Sequence, residues 1–191
     1  SSQRKVNTLK NCDVSWMHKF VDDKAKLIPY VYPSEKEFKK NNIQIIYMGW
    51  FMKNWSIMNN AKYASLNGLE LRKDGVSKTG DLFGAMALDE DFVIINQMIK
   101  YYKFGFGRVT DYLNYEIRDK KITRNEAKKL IKKYDGACDD KYIKKFCEYI
   151  DINKEEFWNI VSGFVNRDLF TINNKSSGKK FLPKFKVGEG L

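Results

Sequence analysis

One histidine, three cysteines and three prolines occur in 191 residues, and each scarcity closes off a class of chemistry. His18 is remote in sequence from Cys138 and Cys147, so neither cysteine has a histidine base beside it to activate it. Cys12, Cys138 and Cys147 are an odd count without C-x-x-C spacing. That pattern argues against a disulfide framework and a structural zinc site, and fits a reducing compartment. Arginine is scarce as well, with six among 35 basic residues. Long apolar runs are missing: Ile45–Met48 and Phe92–Ile95 meet polar positions far short of the roughly 18 residues a membrane span needs. The opening SSQRKVNTLK has charges but no apolar stretch behind them, so a secretory signal is not expected and a cytoplasmic setting is. The absent initial methionine leads us to expect a piece of a longer protein.

What is present is enough for a core: 43% hydrophobic and 15% aromatic residues. The formal charge of +11 invites a nucleic-acid reading, because cationic surfaces release counterions from phosphate backbones. Yet lysine supplies nearly all of it, alongside 16 asparagines. That bias suits an AT-rich genome, whereas bidentate phosphate recognition favours arginine. A basic nucleic-acid-binding domain, resting on the Lys-rich faces around Lys128–Lys145, is the least favoured of three readings.

Helix starts are written clearly. Ser34 with Glu37 forms a capping box, opening a short helix to about Asn41. Ile43–Gly49 (IQIIYMG) is β-branched and closes on glycine, so a buried strand is predicted. Such a strand needs partners that the rest of the chain hardly offers. Trp50–Leu69 suggests a helix or two, and Lys73–Gly84 a long loop. From Phe92 the residues Ile95, Ile99, Tyr102, Phe106, Val109, Leu113 and Ile117 step by three or four, predicting one continuous helix. Thr123 with Glu126, then Asp139 or Asp140, then Asn153 with Glu156, cap three more helices. The expected organisation is a strand-containing segment 1–72, a loop 73–90, a helical domain 91–170 and a polar tail 171–191. The fold class is mainly α, a carboxyl-terminal helical bundle with one or few strands.

Several motifs carry chemistry in principle. Phe104-Gly105-Phe106-Gly107-Arg108 lacks the preceding strand of a dinucleotide fingerprint. Two glycines inside a helix cost about 1 kcal/mol each and need a reason: tight packing, or admission of a substrate bound by Arg108 and Asp111. Asp81, Asp89 and Asp91 precede the long helix, where carboxylates either cap it or bind a metal or sugar hydroxyls. Cys138 and Cys147 fit a turn and a core position. Ser176-Ser177-Gly178-Lys179-Lys180 lacks P-loop spacing and is expected to be a turn.

Taken together, VSKTGDLFGAMALDEDFVIINQMIKYYKFGFGRVTDYLNYEIRDKKITRNEA, YDGACDDKYIKKFCEYIDINKEEFWNIVSGFVNRDLF and PKFKVG, with IPYVYPSEKEF and IQIIYMGWF, are similar to the carboxyl-terminal half of bacterial N-acetyl sugar amidotransferases. The resemblance covers nearly everything from Ile28 onward. It implies an ATP- and Mg2+-dependent enzyme of the PP-loop pyrophosphatase superfamily, acting in lipopolysaccharide biosynthesis or flagellin glycosylation of the pseudaminic or legionaminic type. ATP would activate the acetamido oxygen of an N-acetyl sugar, and ammonia from a glutaminase partner would replace it. The SGGxDS-type loop of that family's ATP site does not occur in these 191 residues. Ile43–Gly49 would then complete an α/β sheet begun in an amino-terminal half. The resemblance carries over no catalytic residue, so Asp81, Asp89, Asp91, Arg108 and Asp111 stand as substrate-binding candidates on local chemistry. An alternative is a helical module that docks the glutaminase partner without catalysis.

Overall fold

The computed structural model describes residues 14–31, 33–53, 55–173 and 179–189. Cys12 and the expected turn at Ser176–Gly178 lie outside them. The chain divides into two compact units, Ser1–Trp55 and Ser56–Leu191.

In the first unit, 3-10 turns at Ser15–Lys19, Lys24–Tyr30 and Met48–Trp50 flank one short helix, α1, Glu35–Lys40. Ser34 and Glu37 make the expected capping box, with the Ser34 amide donating to Glu37 Oε2 at 2.7 Å and the Glu37 amide to Ser34 Oγ at 3.3 Å. Leu27 and Phe38 are the buried apolar side chains here. The predicted strand at Ile43–Gly49 does not form. Residues 43–47 follow no regular element, and Ile43, Ile45, Ile46, Tyr47 and Met48 are exposed. A strand exists only through a ladder with a neighbour, and no strand pairs with this segment among the described residues.

The second unit is helical. Ser56 caps α2, Ile57–Leu66, and the expected loop at 73–84 contains one turn of helix, α3, Val76–Thr79, ended by Gly80 in the left-handed region. The predicted continuous helix is two: α4, Val93–Phe104, and α5, Arg108–Arg118. Gly105 adopts φ 79° and its amide closes on Tyr101 O at 2.8 Å, the left-handed cap that stops a helix. Hydrophobic spacing runs on across the break, which is why periodicity alone does not reveal it. The two glycines therefore sit at a helix junction rather than in a helix interior.

Thr123, Asp139 and Asn153 cap α6 (Arg124–Tyr134), α7 (Asp140–Tyr149) and α8 (Lys154–Phe164) as expected. Two short strands, β1 (Phe170–Ile172) and β2 (Phe181–Pro183), pair antiparallel with Ile172 opposite Phe181. This hairpin occupies the expected polar tail. Phe170 and Phe181 turn inward and meet Tyr102 edge-on, at 5.5 and 5.1 Å between ring centres.

Helix α4 supplies Ile94, Ile95, Met98, Tyr101 and Tyr102 to the main core, against Tyr142, Ile143 and Cys147 of α7 and Phe157 and Val161 of α8. A smaller core joins α5 to α6 through Val109, Leu113 and Ala127. Cys138 and Cys147 have no partner sulfur, and burial pushes both thiols up, Cys138 to about 12. Raised in this way, both thiols favour the protonated form at neutral pH.

Candidate functional site

The start of α5 is fixed from a distance. Its first amides point out of the helix and need acceptors. Asp135, 28 residues from Gly107, supplies them: Oδ2 accepts from Gly107 N at 2.8 Å and Thr110 Oγ1 at 2.6 Å, and Oδ1 from Val109 N at 3.1 Å. A side chain at Gly107 would put its Cβ 2.7 Å from that carboxylate, so only glycine admits the contact. Next to Asp135, Gly136 has φ 72°, and any Cβ there would enter the Tyr101 ring. Asp135 is 1% exposed. Burial pushes its carboxyl above the ordinary range, while the three donors pull the other way.

So pinned, α5 presents Arg108, Asp111, Tyr112, Tyr115 and Arg118 along one side, spaced by three and four residues. They line a cavity of about 350 Å³ with Asn114, Gln97 of α4, Ile57 of α2 and Met86. Asp111 does not pair with Arg108. It is held by Lys100 of α4 at 2.5 Å.

Arg108 is 7% exposed, yet among the described residues its guanidinium makes no hydrogen bond or ion pair. Its nitrogens are not among the sealed side-chain atoms of the described residues, and the residue lines the cavity. The Tyr112 hydroxyl is buried without a partner. Burial, with Asp81 and Asp111 nearby, pushes this phenol well up, so it stays protonated. Arg118 lies over the Tyr115 ring at the exposed end. The cavity therefore holds cationic and hydroxyl donors in excess of the acceptors around them.

The other candidates are placed differently. Asp81 is buried beside the cavity, with both carboxylate oxygens turned to its own loop, accepting from Phe83 N at 3.1 Å and Met86 N at 3.2 Å. It shapes the wall: Met86 lines the cavity, and the Phe83 ring lies 5.2 Å from that of Tyr112. Asp89 is exposed. Neither Asp89 nor Asp91 caps α4 with its side chain, since Phe92 holds the cap position without such a bond.

Asp91 belongs to a second charged cluster. Arg72 donates to Asp91 Oδ1 at 2.5 Å, Ala87 O at 2.9 Å and Glu90 O at 3.3 Å, and Lys145 reaches Asp91 Oδ2 at 2.9 Å. Asp74 accepts from Tyr142 at 2.5 Å and from Lys141. Lys145 first, then Arg72, holds the Asp91 carboxyl below its usual range, and Lys141 with Tyr142 does the same for Asp74. The Tyr142 phenol is pushed up to about 12 by burial and by Asp74.

Sequence reasoning singled out Arg108 and Asp111 but missed Gln97, Tyr112, Asn114, Tyr115 and Arg118. The face that Tyr112, Tyr115 and Arg118 share with Arg108 is visible in the spacing, but only once α5 is known to begin at Arg108, and Gln97 reaches the cavity from α4. Among the described residues, no three His, Cys, Asp or Glu side chains are arranged to hold a metal ion, and no helix is long and apolar enough to cross a membrane.

No curated protein matches the chain. The family model described as LPS biosynthesis protein WbpG-like, C-terminal domain, matches residues 81–186, more than half of the chain, and spans α4 to α8, the hairpin and most of the cavity. With this match across the helical unit, the chain belongs to the WbpG-like family of LPS biosynthesis proteins, whose C-terminal domain it carries.

Proposed function

We propose that this chain is the substrate-side half of an ATP-dependent amidotransferase that converts the acetamido group of an N-acetylated sugar to acetamidino in surface-polysaccharide biosynthesis. The observation that carries this reading is the polar cavity on α5, most of which lies inside the region matched to a lipopolysaccharide-biosynthesis family. Its amide side chains (Gln97, Asn114), arginines and tyrosines are the groups that hold a hydrophilic ligand by hydrogen bonds and by stacking on sugar faces.

In the proposed reaction the acetamido oxygen attacks the α-phosphorus of ATP and pyrophosphate leaves. Ammonia then adds to the activated carbon and loses protons, and AMP departs with the oxygen. Amide oxygen is a poor leaving group until it is phosphorylated in this way. ATP and Mg2+ would be held by the expected amino-terminal half, because the SGGxDS-type loop does not occur in these 191 residues. The role left to this half is to hold the sugar in reach. The ammonia would come from a glutaminase partner. Flagellin glycans are the other destination for such a product.

The test is turnover by the full-length protein with a glutaminase, glutamine, ATP and a panel of nucleotide-linked N-acetyl sugars, read by mass spectrometry. Replacement of oxygen by NH, with AMP and pyrophosphate in equal amounts, is the expected result. AMP without an altered sugar, or no AMP with any member of the panel, would sink it.

A further inference from the structure

The cavity on α5 is built around a charge that the chain itself does not neutralise. A guanidinium taken out of water is costly unless a counter-charge or several acceptors meet it. Arg72 shows how this protein treats a structural arginine: a carboxylate and two backbone carbonyls fill its fork. Arg108 is as enclosed and has none of these. The carboxylates near it turn elsewhere: Asp111 meets Lys100 through Oδ2, and Asp81 meets the amides of Phe83 and Met86 through both oxygens. One turn along, the Tyr112 hydroxyl is buried with no partner. A buried hydroxyl without a partner, beside a guanidinium that no acceptor among the described residues meets, both on the same cavity, describes the mould of an acceptor with more than one oxygen and a negative charge.

We infer that this cavity is an oxyanion site: Arg108 grips a carboxylate or phosphate group of the ligand through its fork, Tyr112 donates its O–H to the same group, and Arg118 guards the entrance. The inference rests on the sugar reading only for what the rest of the ligand is; the oxyanion grip follows from the cavity itself. Lysine at position 108 would supply a point charge without the planar fork.

The experiment is a heteronuclear NMR titration of the 191-residue chain, following the arginine side-chain resonances with inorganic phosphate, acetate and uncharged N-acetylglucosamine as separate probes. Phosphate or acetate should shift Arg108 saturably. Arg108→Met should weaken that binding more than tenfold and Arg108→Lys several-fold, with circular dichroism unchanged; Tyr112→Phe should weaken it by a smaller factor. Saturation by phosphate alone identifies a phosphate-bearing ligand, and by acetate alone a carboxylate-bearing one. No response to either anion, or equal affinity in a folded Arg108→Met chain, overturns the proposal. N-acetylglucosamine shifting the same signals while both anions fail also overturns it, yet leaves the sugar reading standing. Oxyanion binding combined with full-length protein that makes no acetamidino product does the reverse.

Discussion

Arg72 and Arg108 are nearly equally enclosed, and the two clusters around them differ in one respect. Around Arg72 the guanidinium, Lys145, Lys141 and the Tyr142 hydroxyl each find an acceptor within the chain, whereas neither the Arg108 guanidinium nor the Tyr112 hydroxyl does among the described residues. The first arrangement is finished and can only stabilise. The second is unfinished, and an unfinished buried charge is tolerated where something else completes it. Burial alone therefore does not distinguish a structural arginine from a ligand-binding one; satisfaction does.

The comparison can be broken at its foundation. Asp135→Ala should cost about 3 kcal/mol, because three donors lose their acceptor at a site water cannot reach freely. The loss would show in chemical denaturation, and with it the shape of the cavity. Arg72→Met should cost about 2 kcal/mol by the same measurement while leaving anion binding intact. Arg108→Met should reverse that profile: stability within about 1 kcal/mol of the parent, or above it, since an unpaired charge is removed, and anion binding lost. A large fall in melting temperature for Arg108→Met with unchanged binding would erase the distinction.

Acid titration sharpens the contrast further. The Asp91 and Asp74 carboxyls are depressed in the folded chain, so the stability they add is present above their unfolded values and is lost as pH falls through the folded ones, below the ordinary carboxylate range near about 3.9. Unfolding followed from pH 5 downward should be less steep in Asp91→Asn, and unchanged in slope in Arg108→Met. The smallest effect concerns Asp111. Its partner is Lys100, on a partly exposed surface, so Lys100→Ala and Asp111→Ala should couple by about 0.5 kcal/mol in a double-mutant cycle, and Arg108→Ala with Asp111→Ala should be additive.

Local features were legible in the sequence, and distant ones were not. The boxes at Ser34 and Thr123 and the caps at Asp139 and Asn153 involve residues within three positions of each other, so a pattern of neighbours suffices. The helix break at Gly105 escaped because apolar spacing stays in register across it, although the paired glycines marked the place. Ile43–Gly49 looked like a strand because its side chains are those strands prefer, but preference for a pleated surface supplies no partner. The hairpin was hidden for the opposite reason: three-residue strands on either side of a polar spacer are too short to show alternation. At the site, Arg108 could be picked out from its glycines, yet its lack of a partner is a property of the assembled neighbourhood and is written in no single segment.

The remote cap also sets an order of events during synthesis. When Arg118 leaves the ribosome, α5 is complete as a sequence but its first turn still lacks acceptors, because Asp135 is still held inside the exit tunnel. Until that residue emerges and α6 folds back, the arginine-bearing turn remains frayed in water. The ligand cavity is accordingly among the later parts of the nascent helical unit to take shape. Hydrogen-exchange labelling of stalled chains ending before Asp135 and after Gly136, each extended by a linker long enough to clear the tunnel, should find the amides of Gly107 and Val109 protected only in the longer one.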